Sequence, residues 1–485
     1  MGISLNPATI LSGQGINVSS LVQQIIAQQS GQLTVWQAQQ TALATQDGLL
    51  AGMENNLVNL QTAVAALADP TGALTAQAAT SSQPGVLTAT AQSSAITGTH
   101  QIVVTSLATT GTLYTDPVAA GPDASFLASG QTTGDIQLQV GGVSGTTRDV
   151  PITQGSNDTL NTLASYINTQ SAANSWGVTA SVVSDASGSR LALFSQSSGS
   201  SGALAVVNNS NTTLTFDTPV GGANAVLTID GVPFSSSSNT VTGAIQGVTL
   251  SLVSQSPGNP VTLTVGPDTG QITTAVNNFV SAYNTVVSTI NTQYVVDPTG
   301  ATPAPPLEAD LSLRSLQSSM LNDAAYAIGG NSGLVNLASM GINMNNDGTL
   351  TVGLTPGGQT FAQVLAANPS AVVNFFQNGS GTGFANNFNA NLTNLTDPTL
   401  GPLNVDLAQN QAEQSDLTTT INNFDTQIAA ETTQLTQQYD AVNASLQAYP
   451  LLLQAVTEVL GSLGSTVSST TGATIPGSPT LTSGL

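Results

Sequence analysis

His100 is the only imidazole in 485 residues. Hydrolysis at a serine needs a hydroxyl beside a base whose pKa is tuned to the working pH. Serines are plentiful, but His100 falls inside an alternating strand pattern, and the chain has no lysine to serve instead. It has no cysteine either, which removes thiol nucleophiles, thiolate zinc sites and disulfides. The carboxylate pairs Asp406/Glu413 and Asp425/Glu431 fall on helical stretches and read as solvated helix faces. Asn343-Met-Asn-Asn-Asp347-Gly348 has calcium-loop spacing at its first positions. Its twelfth position is Leu354, where a bidentate glutamate is needed, so it reads as an Asp-Gly turn between strands. Gly141-Gly142 and Gly199 to Gly202 lack the Lys-Ser/Thr of a phosphate loop and read as turns. The expectation is a protein that is not an enzyme, with no cofactor and no metal.

The elements that carry these residues are better defined than any chemistry on them. Hydrophobic residues make up 40% of the chain, so it buries sizeable cores. Charged residues make up 6%, and the missing charge is replaced by Ser, Thr, Asn and Gln. The net charge is −22, with Arg148, Arg190 and Arg314 as the only basic side chains besides His100. Three scattered arginines cannot neutralise a phosphate backbone, so nucleic acid and anionic membrane surfaces are excluded as partners. No run of 18 apolar residues exists, so no membrane insertion is expected. Met1 to Ile10 has neither a basic region nor a long apolar one. It does not read as a Sec signal peptide, so any export takes a route without a cleaved signal.

Seam positions step by four and three along Val18, Val22, Ile25, Gln29, Gln32, Trp36, Gln39, Leu43, Gln46, Leu50, Met53, Leu57, Leu60, Val64 and Leu67, eleven of the fifteen apolar. This is a heptad seam on a long helix, with four glutamines that weaken packing but can fix register. Gly31, Gly48 and Gly52 are candidate bends, and Asp69-Pro70-Thr71-Gly72 is the stop. A second seam runs Leu407, Asn410, Gln414, Leu417, Ile421, Phe424, Ile428, Glu431, Leu435, Tyr439, Val442, Leu446 and Tyr449, with a slip near Tyr439. Pro450 is expected to break or kink it. Leu451 to Leu463 is an apolar coda, and a Ser/Thr/Gly/Pro tail follows. Two stripes on one chain suit an antiparallel pair, either inside one molecule or between subunits.

Between the seams the grammar changes. From Ala76 to Val265 short alternating runs sit between turn clusters, as in His100–Leu107, Asp135–Val140, Val178–Val183, Arg190–Phe194, Ala225–Ile229, Val248–Val253 and Val261–Val265. One helix interrupts them at Thr159–Gln170, with Asn157 or Asp158 as its cap. Asp185 to Ser189 reads as a hairpin turn. Helices are expected at Thr269–Thr292, Asp310–Ile328 and Phe361–Phe376, and a hairpin at Met340–Val352. Trp36 belongs to the first seam, and Trp176 packs in the β-rich region.

Several of these strings resemble the flagellar hook-associated protein 2 family, the cap proteins of bacterial flagellar filaments. The resemblance is carried by Gly15-Ile-Asn-Val-Ser-Ser-Leu-Val22, Ile96 to Ala108, Asp158 to Leu193, Ile229-Asp-Gly231 with Ile245 to Leu250, and Phe279-Val-Ser-Ala-Tyr-Asn284. Gly341-Ile342 with Asp347 to Leu350, and Asn368-Pro369 with Phe375-Phe376, continue it in order. The total lack of lysine and the stretch after Tyr449 depart from the family pattern.

The resemblance implies an α+β fold, a terminal coiled-coil and helical-bundle stalk with a nested, β-rich two-domain insert. Residues 1–40 would be a coiled-coil segment pairing with 430–463, and 41–75 a stalk with 269–429. Residues 76–115 and 216–268 would form an inner head, 116–215 an outer head and 464–485 a flexible tail. The implied function is capping, by a ring-like homo-oligomer of five subunits at the filament tip, exported by the flagellar type III route. The implied partners are flagellin, hook-associated junction proteins and an export chaperone. The oligomerisation residues would be Val22, Ile25, Trp36, Leu43, Leu50, Met53, Leu57, Leu60, Val64, Leu417, Ile421, Phe424, Ile428 and Leu435. Two other readings stay open, a secreted surface adhesin and a hook–filament junction protein.

Overall fold

The computed structural model describes residues 17–295 and 297–468. The expectations for Met1–Ile10 and for the tail from residue 469 lie outside the described residues. The chain divides into two compact units, one holding residues 17–59, Thr285–Met320 and 392–468, the other Leu60–Asn284 and Leu321–Asn391.

The first seam folds as α1 (Val18–Gln29) and α2 (Gly31–Ala68). Asn17 caps α1 by accepting the Ser20 N–H at 3.0 Å. The chain divides at Ser30-Gly31, while Gly48 and Gly52 stay inside α2. An interior glycine costs only about 1 kcal/mol, which packing along a long helix offsets. Asp69 ends α2 by accepting the Thr71 N–H at 2.8 Å, and Pro70 cannot continue it.

The β-rich part has fourteen strands before the next helical run. They are β1 (Gln77–Ser81), β2 (Leu87–Ala91), β3 (Gly98–Ser106), β4 (Thr110–Tyr114), β5 (Thr133–Val140), β6 (Thr146–Thr153), β7 (Val178–Asp185), β8 (Gly188–Ser198) and β9 (Leu204–Ser210). Then come β10 (Ala225–Ile229), β11 (Val232–Ser236), β12 (Thr240–Ile245), β13 (Val248–Leu252) and β14 (Val261–Pro267). All pairings are antiparallel.

A five-stranded sheet, β1-β14-β3-β10-β11, and a three-stranded sheet, β12-β13-β2, share one core around Ile102, Leu227, Leu250 and Leu263. Two three-stranded sheets, β4-β8-β7 and β6-β5-β9, close a second core with α3 (Leu160–Asn174), around Ile136, Val150, Leu163, Leu191 and Trp176. The cap of α3 is Thr159, not Asn157 or Asp158. Thr159 and Thr162 form a reciprocal capping box, and the other two side chains are spent on Thr153 and Gly155.

The helices that follow are α4 (Thr269–Thr292), α5 (Leu311–Ala324), α6 (Phe361–Ala367), α7 (Pro369–Phe376), α8 (Phe384–Leu395) and α9 (Pro402–Ser468), with the hairpin β15 (Ile342–Met344) and β16 (Leu350–Val352) after α5. Asp310 is the cap of α5 rather than its first turn, accepting the Leu313 N–H at 2.9 Å. The helix expected over Phe361–Phe376 is two, because Pro369 removes a donor and pushes Asn368 out of the helical region. In the second unit Phe279, Tyr283, Phe375, Phe376, Phe384 and Phe388 form a buried aromatic cluster with mostly edge-to-face contacts.

Pro450 does not break α9, which is helical on to Ser468. Proline forfeits one backbone bond and crowds the carbonyl four residues back. The helix formers that follow, Leu451 to Ala455, resume the ladder. Residues 464–468 are therefore helix and not tail.

Candidate assembly surface

Within the first unit the two seams meet antiparallel. Gln29 donates to Glu431, Gln40 to Thr418, and Gln414 to Asp47, at 2.8, 2.7 and 2.6 Å. Moving up α1 and α2 from residue 29 to 47 thus moves down α9 from 431 to 414. Trp36 stands edge-on to Phe424 with ring centroids 5.4 Å apart. Gln46 donates to the Pro306 carbonyl at 2.9 Å. The seam glutamines Gln29 and Gln46 are hydrogen-bonded bridges here; Gln29, Gln32 and Gln39 are exposed and Gln46 is half-buried.

Burial is graded along the stripe. Val22, Leu50, Met53 and Leu57 are buried, as are Leu60 and Val64 in the second unit. Ile25, Trp36, Leu43, Leu417, Ile421, Phe424, Ile428 and Leu435 are only half-buried. After Ile428 the half-buried positions are Glu431, Thr432, Leu435, Thr436, Tyr439, Asn443, Leu446 and Pro450. Three successive steps of four, from Glu431 to Asn443, turn the stripe on the helix. Val442 and Tyr449, expected on the seam, are exposed for that reason. Beyond them Leu451, Leu452, Leu453, Val456, Val459, Leu460 and Leu463 are all 50–68% exposed.

Several carboxylates are partly buried among these helices, and no ion pair joins them to a cation among the described residues. Burial pushes the Glu54 carboxyl up, against a hydrogen bond from Asn404. Burial also raises Asp406, and nearby Asp310 adds to the rise. Gln46, Pro306, Asp310, Asp406, Gln409 and Asn410 line a cleft of about 260 Å³. Asp47, Glu54 and Asp406 each keep one buried oxygen without a hydrogen bond. Asp406, expected on a solvated helix face, is instead half-buried at this cleft, and the sequence reading missed the buried oxygens of Asp47 and Glu54. The available signal was that Asp47 and Glu54 are three residues from seam positions Leu50 and Leu57, one helical turn away.

The residues singled out for chemistry lie apart. His100 on β3 has its Nδ1 2.7 Å from Asp230 Oδ2. Asp230 sits at φ +52° in the β10–β11 turn and also accepts the Gln101 N–H. That bond first, and His100 second, hold its carboxyl below the usual range. No hydroxyl is bonded to the ring among the described residues. Asp347 closes its own turn by accepting the Thr349 N–H and hydroxyl, which lowers its pKa. Glu413 and Asp425 are exposed, Glu431 is taken by Gln29, and Trp176 is buried in the second β-rich core. Among the described residues no group of three or more His, Asp or Glu could hold a metal ion.

Comparison with known proteins matches this architecture along the chain. Residues 14–111 match the family described as flagellar hook-associated protein 2 N-terminus, and residues 222–449 match its C-terminus. Residues 135–197, in the second β-rich core, match the flagellin hook IN motif. The B-type flagellar hook-associated protein 2 of Pseudomonas aeruginosa is 30% identical over 343 residues, 64% of this chain and 68% of that protein. The A-type protein of Pseudomonas aeruginosa is 35% identical over 133 residues, 27% of this chain and 28% of its own. The D1-D2-D3 domains of the flagellar cap protein FliD from Escherichia coli share the fold, with a TM-score of 0.56 and 24% identity over 75% of this chain and 99% of theirs.

Proposed function

The chain belongs to the flagellar hook-associated protein 2 family, and on that footing we propose that it caps the bacterial flagellar filament as a ring-like homo-oligomer of five copies. The cap holds flagellin at the tip, guides its insertion and prevents its loss. It works outside the cell and reaches the tip by the flagellar type III route. Its partners are its own copies, flagellin, the hook-associated junction proteins and an export chaperone.

No covalent chemistry is needed. Apolar surface left partly in water by one copy drives association when copies meet, at roughly 25 cal/mol per Å² buried. The observation that carries the reading is the half-buried stripe from Leu417 to Leu435, continued by the exposed apolar coda from Leu451 to Leu463. Glutamine bridges such as Gln29–Glu431 keep the helix pair adjustable, because each exchanges readily for water.

The test is Leu417→Ser, Ile421→Ser and Ile428→Ser together in the full chain, read by sedimentation, negative-stain microscopy and swimming. These residues are half-buried, so the variant keeps its core. Loss of rings and of motility is expected. Rings and swimming like wild type would sink the assignment of the stripe.

A further inference from the structure

Among the edge strands of the second β-rich core, β7 and β6 are each only half covered. In β7, Asp185 and Gly188 flank a two-residue turn, so Ser181 and Val183 bond to β8 while Val178, Ala180, Val182 and Ser184 turn their N–H and C=O outward. Asn168 of α3 covers that edge at Ala180, accepting its N–H and donating to its C=O, both at 2.8 Å. Ser171 accepts the Val178 N–H at 3.3 Å. Val182 and Ser184 have no such cover among the described residues, and Val183 between them is 54% exposed.

The same device recurs on β6. Asn157 accepts the Thr153 N–H and donates to the Pro151 C=O, both at 2.8 Å, which places Pro151 and Thr153 on the outward side. By alternation Thr147 and Asp149 face the same way, and they too are uncovered among the described residues. Two further edge strands are blunted. Pro233 interrupts β11, and β9 carries a bulge at Val207.

We propose that the open half of β6 on one copy of this chain pairs antiparallel with the open half of β7 on the next. Thr147 then lies across Ser184 and Asp149 across Val182, which makes four backbone hydrogen bonds. Arg148 lies across Val183, on the face that also carries Asp185. Arg148, whose Nε is buried without a hydrogen-bond partner, gains a carboxylate. Pairing β7 with its own kind gives Asp185 no cation. Two different edges make a head-to-tail contact, which closes into a ring when the rotation per copy allows. The inference rests on the homo-oligomer proposed above and names the strands that join its heads.

The test uses the full chain. Backbone hydrogen exchange at Thr147, Asp149, Val182 and Ser184 is compared between dilute monomer and assembled protein. Slowing by about tenfold or more is expected on assembly. Ser184→Pro removes one outward N–H and leaves the β8 ladder intact. Ser184→Ala keeps that N–H and loses only the hydroxyl bond to Ser189. S184A should assemble like wild type, and S184P at roughly tenfold higher concentration. R148D should weaken assembly, and adding D185R should restore it, a result that decides the matter if S184P does not fold. Rings whose four amides exchange at the monomer rate, or S184P rings at the wild-type concentration, would overturn the pairing and leave the homo-oligomer standing. Protection that appears only on adding flagellin also overturns it. A wild-type chain monomeric at every concentration overturns both.

Discussion

Asp323 is a buried carboxylate with no cation paired to it among the described residues, and its removal should stabilise the helical core at neutral pH. It is 7% exposed on α5 and accepts one hydrogen bond, from Asn391 on α8 at 2.6 Å. Its charge also lifts the pKa of buried Tyr283 on α4, although burial is the larger cause there. Burial pushes the Asp323 carboxyl from 3.8 to about 6. The folded protein therefore holds this proton to higher pH than the unfolded chain does. Its stabilising effect is complete below about pH 4 and is lost as pH rises through about 6. Each pKa unit is worth about 1.4 kcal/mol, so the shift corresponds to roughly 3 kcal/mol. Water penetration and relaxation reduce that to on the order of 2 kcal/mol. Asp323→Asn keeps an acceptor for Asn391 and has no charge to bury. Urea titrations from pH 4.5 to 7.5, read by hydrogen exchange on α5 and α8 peptides, should show the wild type losing midpoint relative to D323N as pH rises. Exposed carboxylates such as Asp297 and Asp397, whose pKa values hydrogen bonds lower, act in the opposite direction but equally on both proteins. Parallel curves for the two proteins would refute the reasoning.

Three further outcomes follow from the packing. Trp36→Ala and Phe424→Ala, alone and together, should give a coupling of about 0.5–1.5 kcal/mol in thermal melts followed by circular dichroism; additive losses would deny the ring contact an energetic role. Leu57→Ala should cost about 2–5 kcal/mol by opening a cavity, whereas half-buried Ile421→Ala should cost about 1 kcal/mol or less in the single chain, both checked by urea unfolding. Gly188→Ala should destabilise the β7–β8 hairpin by about 1–3 kcal/mol, because Gly188 is at φ +131° and a Cβ there meets the Val118 carbonyl oxygen at 2.7 Å; unchanged exchange of the β8 amides would contradict this.

The helical ends were legible because their signal is long. A stripe from Val18 to Leu67 repeats too often to be accidental, and Asp69-Pro70 marks its stop in side-chain chemistry alone. Strands with β-branched alternation, such as Ala225–Ile229 and Val261–Val265, were also legible. Strands such as Gln77–Ser81 and Leu204–Ser210 were not, since their Ala, Ser and Asn content carries little pattern and neighbouring strands supply the stability. α8 went unseen because its asparagines dilute an apolar stripe of Phe384, Phe388 and Leu392. The heptad pattern could not say which positions close inside one molecule. Leu50 and Leu417 look alike in sequence, and only packing distinguishes buried core from half-open stripe. The half-capped edges of β6 and β7 were invisible for a related reason, since they depend on register and on two asparagines whose partners are set by the fold.

The central claim is that this chain closes the tip of a filament and keeps flagellin from escaping. The most direct measurement is the partition of flagellin between filaments and medium in a bacterium that lacks its own cap and exports this chain. Flagellin should move from the medium into filaments, with the chain found at their tips by electron microscopy. Exported, folded chain with flagellin still lost to the medium would contradict the account.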